Sequence, residues 1–404
     1  MTVLKFFTLL AIGILSLTLD SSSCFAENVS TQTCLLVPPR AVNKIPVGME
    51  FYQFDSTPLG HREPVVLIHG LLGESHPYFR WQKLAQYLGQ DIQFRNRYKI
   101  YLARYNTQSP REELTRTFIA DLHDFSRGHS ITIVTISMSG AIIHDAMKDP
   151  AINKSITKVL TLGAFFQGSP LFCSDWMKQT IRKTHLFPLT KEERVLAYDL
   201  YFSRHKNLLA DYKWRDTNWQ VRSNIQLPSS FKEPGDEVSS NIDQKFVVYA
   251  GFIRSEYFPI VYGRLHQFVV SPLTFIFTTL PAHLGFEHSA LRFLNSLIAS
   301  SALTTNDMQD DVYALNDGIS PISSGLLLAH SQIENTKFDG DDYFTYLKEH
   351  SNARKARVFA NVDHLTFIEG RGLNQPFKAV TDVLSKDEKP RPIFAWILTD
   401  LLEE

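Results

Sequence analysis

The stretch Ile131–Gly140, "ITIVTISMSG", sets four β-branched apolar residues in six positions and then turns abruptly to small and polar ones. Ile131, Ile133, Val134 and Ile136 leave no clean alternation of apolar and polar, which reads as a strand buried on both faces. The residues that follow, "MSGAIIHDAM", read as the opening of a helix, with small side chains where strand and helix meet. A turn this sharp can hold a serine in a strained backbone conformation if the residues two positions to either side are small. Ser137 satisfies that pattern, with Thr135 and Ser139 as its neighbours in place of two glycines. The expected role of Ser139 is steric.

Working outward, strands and helices alternate. "PVVLIHGLLGES" gives a strand over Val65–Ile68 followed by a loop with two glycines. "PYFRWQKLAQYLG" reads as a helix with Pro77 near its start and Gly89 as its stop. "YKIYLARYN" is the next strand, and "MEFYQFDS" an edge strand before both. In "SPREELTRTFIADLHDF", Ser109 reads as the cap and Pro110 as the first helical residue, with glutamates in the first turn. "ITKVLTLGAFF", "KFVVYAG" and "ARVFANV" supply later strands. This alternation predicts a mostly parallel sheet covered by helices on both faces. Such sheets carry their chemistry beyond the carboxyl ends of the strands, where Ser137 and His69-Gly70 both fall.

The first 26 residues have the order of a secretory signal: Lys5, an apolar run from Phe6 to Leu19, then "SSSCFA". The run is short for a membrane span, and a lipid anchor on Cys24 is a less favoured alternative. The expectation is an exported protein, periplasmic or extracellular, with one domain over residues 27–403. Cys34 and Cys173 then remain, either bridged or as two separate thiols. No Cys/His spacing points to zinc. With a formal net charge of -1 the chain has no electrostatic reason to bind nucleic acid. Nothing in it points to an obligate protein partner.

Two segments interrupt the rhythm, 170–240 and 255–308. Within the second, "LHQFVVSPLTFIFTTLPAHLGF" has no charged residue, and Pro272 and Pro281 argue against a spanning helix. It reads either as buried helix and loop or as a cap offering apolar surface to a greasy substrate, in transient contact with a lipid interface.

Three stretches occur in order: "PVVLIHGLLGES", "IVTISMSGAI" and "LTLGAFFQGSPL". Together they resemble the oxyanion strand, the serine elbow and the "TPHRGSP" stretch of secreted bacterial lipases and esterases of the α/β-hydrolase superfamily. Phe165 and Phe166 stand where that family often has proline and histidine. The resemblance implies the α/β-hydrolase fold with inserted cap segments, and a catalytic order of serine, acid, histidine. "LNDGISPISS" then places the acid on Asp317, and "FANVDHLTFIEG" places the base on His364. Asp311 is a reserve acid, and Asp363 adjoins the base without any assurance of geometry. His69 precedes the nucleophile and is expected to shape its loop. The implied oxyanion donors are the backbone N–H groups of Leu71 and Met138.

The implied activity is a serine hydrolase cleaving lipid esters through an acyl-enzyme, with triacylglycerol lipase first. A phospholipase, a short-chain carboxylesterase or a non-catalytic lipid-binding protein on the same fold are the alternatives. The chemistry needs no cofactor. Some lipases of this kind hold a structural calcium, for which the run Asp339–Asp342 offers carboxylates, although solvated turn residues are the favoured reading.

Overall fold

Chain order and strand order disagree, and that disagreement builds the site. The computed structural model describes residues 48–71, 73–169, 240–252, 316–328, 350–368, 370–377 and 389–403, with 35–36, 46 and isolated positions between 172 and 212. These residues all belong to the unit Cys34–Glu404. Eight strands form one sheet: β1 (Leu35–Leu36), β2 (Glu50–Gln53), β3 (Glu63–Ile68), β4 (Tyr98–Arg104), β5 (Ile131–Ile136), β6 (Ile156–Leu162), β7 (Phe246–Phe252) and β8 (Lys355–Ala360). Their order is β1-β2-β4-β3-β5-β6-β7-β8. Only the β2–β4 pairing is antiparallel.

From β3 the chain steps one way to β4, through helices α1 (Gln82–Gln90) and α2 (Ile92–Arg97). It then returns through α3 (Arg111–Ser126) to β5, on the other side of β3. Right-handed crossovers in opposite directions put their helices on opposite faces of the sheet. The helices α4 (Met138–Ala146) and α5 (Pro150–Ser155) continue in the second direction and pack with α3. The C-terminal helix α6 (Ile393–Leu402) packs instead on α1 and α2. A sheet covered on both faces buries its central strands along their length and favours mainly apolar residues there, and every residue of β4, β5 and β7 is buried. The reversal leaves a crevice between the carboxyl ends of β3 and β5, where open α/β sheets bind ligands.

Four local readings are corrected. Residues Pro77–Arg80 do not belong to α1. They form a separate tight turn with Tyr78, Phe79 and Arg80 at φ of 50°, 49° and 70°. Burial of Phe79 and Trp81 holds this left-handed turn in place. Gly89 lies inside α1, which ends at Asp91 as the chain straightens. Pro110 is the N-cap of α3 rather than its first helical residue, and the first N–H, from Arg111, goes to the Asp211 carboxylate (2.9 Å). The strand from "MEFYQFDS" is flanked by β1, so it is not outermost.

α6 is fastened to the sheet by a buried ionic group. Arg357 on β8 grips Asp400 with two N–H donors at 2.6 and 2.7 Å, and the Tyr249 hydroxyl on β7 donates to the same carboxylate. Lys355 adds a contact at 3.0 Å, and Arg357 lies 4.3 Å from the Trp396 ring centroid. On β6, Lys158 Nζ donates to the carbonyls of Asp400 (2.9 Å) and Leu401 (3.3 Å), at the negative end of the helix. Burial alone would raise the Asp400 pKa, but the hydrogen bonds and charge of Arg357 and the Tyr249 hydroxyl hold it below the usual value. Its contribution is therefore complete above the unfolded carboxyl value of 3.8 and is lost as pH falls through the lower folded value. Asp400→Ala, which removes the carboxylate that accepts two N–H bonds from buried Arg357, should lower the unfolding free energy by about 3–5 kcal/mol in urea titrations at neutral pH. A loss below about 1 kcal/mol would show that the group is not buried in solution.

Among the described residues, no helix is long and apolar enough to cross a membrane.

Candidate active site

Ser137 sits between β5 and α4 at φ 64° and ψ -134°, a conformation that costs a non-glycine residue about 1–3 kcal/mol. Its N–H donates to the Leu162 carbonyl at 3.0 Å, locking the turn to the end of β6. Close approach of α4 to that strand depends on Gly140, where a Cβ would fall 2.7 Å from the Ala164 Cβ. Across the crevice, a Cβ on Gly70 would lie 2.8 Å from the Ser137 Cβ. The glycine therefore brings the backbone after β3 directly against the serine. Met138 is the first residue of α4, so its N–H has no acceptor within the helix. Among the described residues, the Leu71 N–H also makes no hydrogen bond.

Thr135 and Ser139, fully buried, do more than fill the places of two small residues. Their hydroxyls are hydrogen-bonded to each other, and Ser139 donates to the Ile136 carbonyl at 2.7 Å.

His69 is built into the loop, as its position before the serine implied. One ring nitrogen, Nδ1, lies 2.8 Å from the Gly70 carbonyl, and Nε2 accepts the Tyr105 N–H at 3.2 Å. Burial pushes its pKa down to about 3, with the charges of Arg104, Arg80 and His76 acting in the same direction and the Gly70 hydrogen bond opposing them. The ring stacks on Tyr105 with centroids 4.5 Å apart, and a Cβ on Gly73 would run into its Cγ at 2.6 Å. A neutral imidazole with both nitrogens engaged cannot serve as a base.

Asp317 and His364, the expected acid and base, come together from distant parts of the chain. In the Asn316-Asp317-Gly318 turn, Gly318 adopts φ 94° and its N–H goes to the Asn316 side chain at 2.9 Å. Asp317 Oδ1 accepts the N–H groups of Ile319 (2.9 Å) and Ser320 (2.6 Å). That leaves Oδ2, which meets His364 Nδ1 at 2.8 Å. The His364 N–H also donates to the Asp317 carbonyl at 2.9 Å, so the histidine is held at two points. Asp363 is used otherwise, accepting the N–H (2.8 Å) and hydroxyl (2.9 Å) of Thr366.

Gly163, just beyond β6, underlies this pair. Its φ is +55°, and a Cβ there would lie 2.8 Å from Asp317 Oδ2 and 2.9 Å from His364 Nδ1. Since Ser137 is bonded to the adjacent Leu162, the serine and the acid–base pair flank one peptide. The Ser137 hydroxyl and His364 Nε2 are not hydrogen-bonded to each other, a contact that in free enzymes often tightens only when substrate is bound. This is the α/β-hydrolase fold.

The "GAFFQGSP" stretch buttresses the acid loop of that hydrolase fold. Ser320 donates to the Ala164 carbonyl at 2.7 Å, Ser324 to the Gly168 carbonyl at 2.8 Å, and Ser169 to the Ile319 carbonyl. Phe165 packs against Phe172 and Tyr212, and Phe166 against His144 and Phe246. Gly163, Tyr105 and Ser320 were not singled out from the sequence. The glycine inside "LTLGAFF", interrupting an apolar run at a strand end, was the available signal for the first.

No family model and no curated protein sequence matches the chain. Solved structures similar to it include a mature Bacillus licheniformis lipase at 15% identity, covering 80% of this chain and 93% of that one with a TM-score of 0.42. A metagenomic carboxyl esterase shares 14% identity, with 85% and 76% covered and a TM-score of 0.35. An esterase from Rhodococcus sp. ECU1013 shares 10%, with 83% and 93% covered and a TM-score of 0.35. At these values no residue role is carried across.

Among the described residues, no group of three or more His, Cys, Asp or Glu side chains could hold a metal ion. Asp339–Asp342, Asp311, Cys34, Cys173 and most of the segments 170–240 and 255–308 lie outside the described residues.

Proposed function

We propose that this chain is a serine hydrolase that cleaves carboxylic ester bonds of lipids through an acyl-enzyme intermediate. The observation that carries the reading is the two-point attachment of His364 to Asp317, beside a serine in a strained strand-to-helix turn. In this reading Ser137 Oγ attacks the ester carbonyl carbon while His364 Nε2 takes its proton. Asp317, on Nδ1, keeps the ring in the tautomer that leaves Nε2 free to accept. Negative charge moves to the carbonyl oxygen, which takes hydrogen bonds from the Leu71 and Met138 N–H groups, the second at the positive end of α4. Collapse of the intermediate breaks the carbon–oxygen bond, and His364 returns the proton to the departing alcohol. Water then repeats the sequence on the acyl-enzyme, releasing the acid and Ser137. No cofactor enters any step.

Gly163→Ala tests the placement of the acid–base pair without touching a reacting group. The added methyl must displace Asp317, His364 or both, and kcat/KM on a p-nitrophenyl ester should fall by roughly 10²-fold. A variant within a few-fold of wild type would mean that the pair does not act from this position.

For the substrate we propose long-chain lipid esters, with triacylglycerol ahead of phospholipid, and segments 170–240 and 255–308 as the cap. The uncharged, aromatic-rich run within 255–308 favours an acyl pocket, and each buried methylene contributes about 0.8 kcal/mol. Rates across p-nitrophenyl esters from acetate to palmitate, beside triacylglycerol and phospholipid assays, test this. A steady fall from acetate would identify a short-chain esterase instead. Failure of a fluorophosphonate probe to label Ser137 would favour a non-catalytic lipid-binding protein. We further propose export with removal of residues 1–26, checked by N-terminal sequencing from the native host, and thiol counting on the same sample would test a Cys34–Cys173 bridge.

A further inference from the structure

We infer that Ser139, with Thr135 and Tyr105, is a positioning residue that fixes the spacing between the two oxyanion donors. The inference rests on the serine hydrolase reading above. The two donors hang from different strands: Leu71 lies three residues beyond Ile68, the last of β3, and Met138 two beyond Ile136, the last of β5. The last ladder pairing between those strands joins Ile68 to Thr135, so beyond it the backbone ladder no longer sets their separation. Ser139 Oγ occupies that gap. It lies 2.7 Å from the Ile136 carbonyl oxygen and 3.3 Å from that of Ile68, and both are within reach of its single proton.

With that proton committed to a carbonyl, the Ser139 oxygen accepts, and the Thr135 hydroxyl is the donor. Tyr105 closes the set from β4's side, its hydroxyl donating to the His69 carbonyl at 3.0 Å and lying beside Ser139. All three side chains are buried from solvent, so water cannot replace a missing partner. Glycines at 135 and 139 would allow the same close packing but could make none of these contacts. The Ile136 carbonyl also faces the oxyanion loop, 3.0 Å from where a Cβ of Gly70 would stand. Hydrogen bonding from Ser139 holds that oxygen in a fixed direction, which matters beside a site that must accept negative charge.

The test is a set of four variants: Ser139→Ala, Tyr105→Phe, Thr135→Val and the hydroxyl-retaining Thr135→Ser. Each is assayed for kcat and KM on p-nitrophenyl butyrate and for inhibition by a phenylboronic acid, which mimics the tetrahedral intermediate. Ser139→Ala should lower kcat about 10-fold with KM within 2-fold, and should weaken boronate binding by a similar factor, because oxyanion contacts form mainly in the transition state. Thr135→Val and Tyr105→Phe should shift the same two quantities in the same direction, and Thr135→Ser should recover most of the Thr135→Val loss. Should Ser139→Ala not fold, the Thr135 pair and Tyr105→Phe carry the test. If the folded variants lose thermal stability while kcat and boronate affinity stay within 2-fold of wild type, the set is merely structural and the inference is overturned. A fluorophosphonate on the wild type separates the two failures. Labelled Ser137 with unmoved kcat overturns this inference alone, whereas an unlabelled wild type overturns the hydrolase reading beneath it.

Discussion

Ser137→Ala should lower kcat on a short p-nitrophenyl ester by at least ~10³-fold while leaving the chain folded. The size of the effect follows from what is removed. Without the hydroxyl there is no acyl-enzyme, and the residual rate comes from substrate binding and the oxyanion N–H groups acting on water. Folding should survive, because Ser137 contributes strain rather than packing: its backbone is held at φ 64° by Leu162, Gly140 and Gly70, none of which is altered. Alanine keeps the Cβ and adopts that backbone no more comfortably, so the melting temperature should move little. The neighbouring hydroxyl of Ser139 cannot substitute, being buried and turned toward the Ile136 carbonyl. A variant with near-wild-type turnover would remove Ser137 from the mechanism.

Asp317→Asn should cost about 10³–10⁴-fold in kcat, nearly isosterically. The carboxylate has two oxygens with separate tasks, Oδ1 on the Ile319 and Ser320 N–H groups and Oδ2 on His364 Nδ1. Because Oδ1 faces two donors, the amide of an asparagine must turn its carbonyl oxygen to them and its NH₂ to His364. Nδ1 then accepts a hydrogen bond, the proton moves to Nε2, and the ring presents a donor to Ser137 where an acceptor is needed. KM should change little, since no substrate contact is lost. A decrease of less than 10-fold would show that the orienting carboxylate lies elsewhere. The turn itself should persist, because its backbone hydrogen bonds and the N–H of His364 on the residue-317 carbonyl are retained.

The parts of the site legible in the sequence are those built by neighbours in the chain. The run Ile131–Ile136 needs only its own β-branched side chains to declare a buried strand, and the small residues after it declare the turn. Asn316-Asp317-Gly318 is a self-contained turn, in which a side chain meets a backbone N–H two residues on and glycine takes the left-handed position. What escaped was set by distant contacts. Pro77 looked like a helix start, but the burial of Phe79 and Trp81 overrides local preference and bends three residues into left-handed backbone. Ser109 was the better cap by propensity, yet Asp211, a hundred residues away, supplies the acceptor that frees Pro110 for that place. Gly163 has no local reason to be glycine. Its reason is the acid–base pair that folds over it from residues 317 and 364. Thr135 and Ser139 were legible as small and not as bonded, because their third partner, Ile68, belongs to another strand.

The fastening of α6 also dictates when the protein becomes itself. A chain emerges from the ribosome, or from a translocation channel, amino end first. Lys158, Tyr249 and Arg357 are therefore made before Asp400 and the carbonyls at the end of α6, to which they are bonded in the folded chain. Until that helix docks, β6, β7 and β8 lack these contacts, and these are the strands that carry Gly163 and deliver His364. Ser137 comes early in the chain and Asp317 and His364 late, so on the proposed reading the nucleophile would be made well before its base. On the proposed reading, hydrolysis would wait until residues 317, 364 and 400 have all been made.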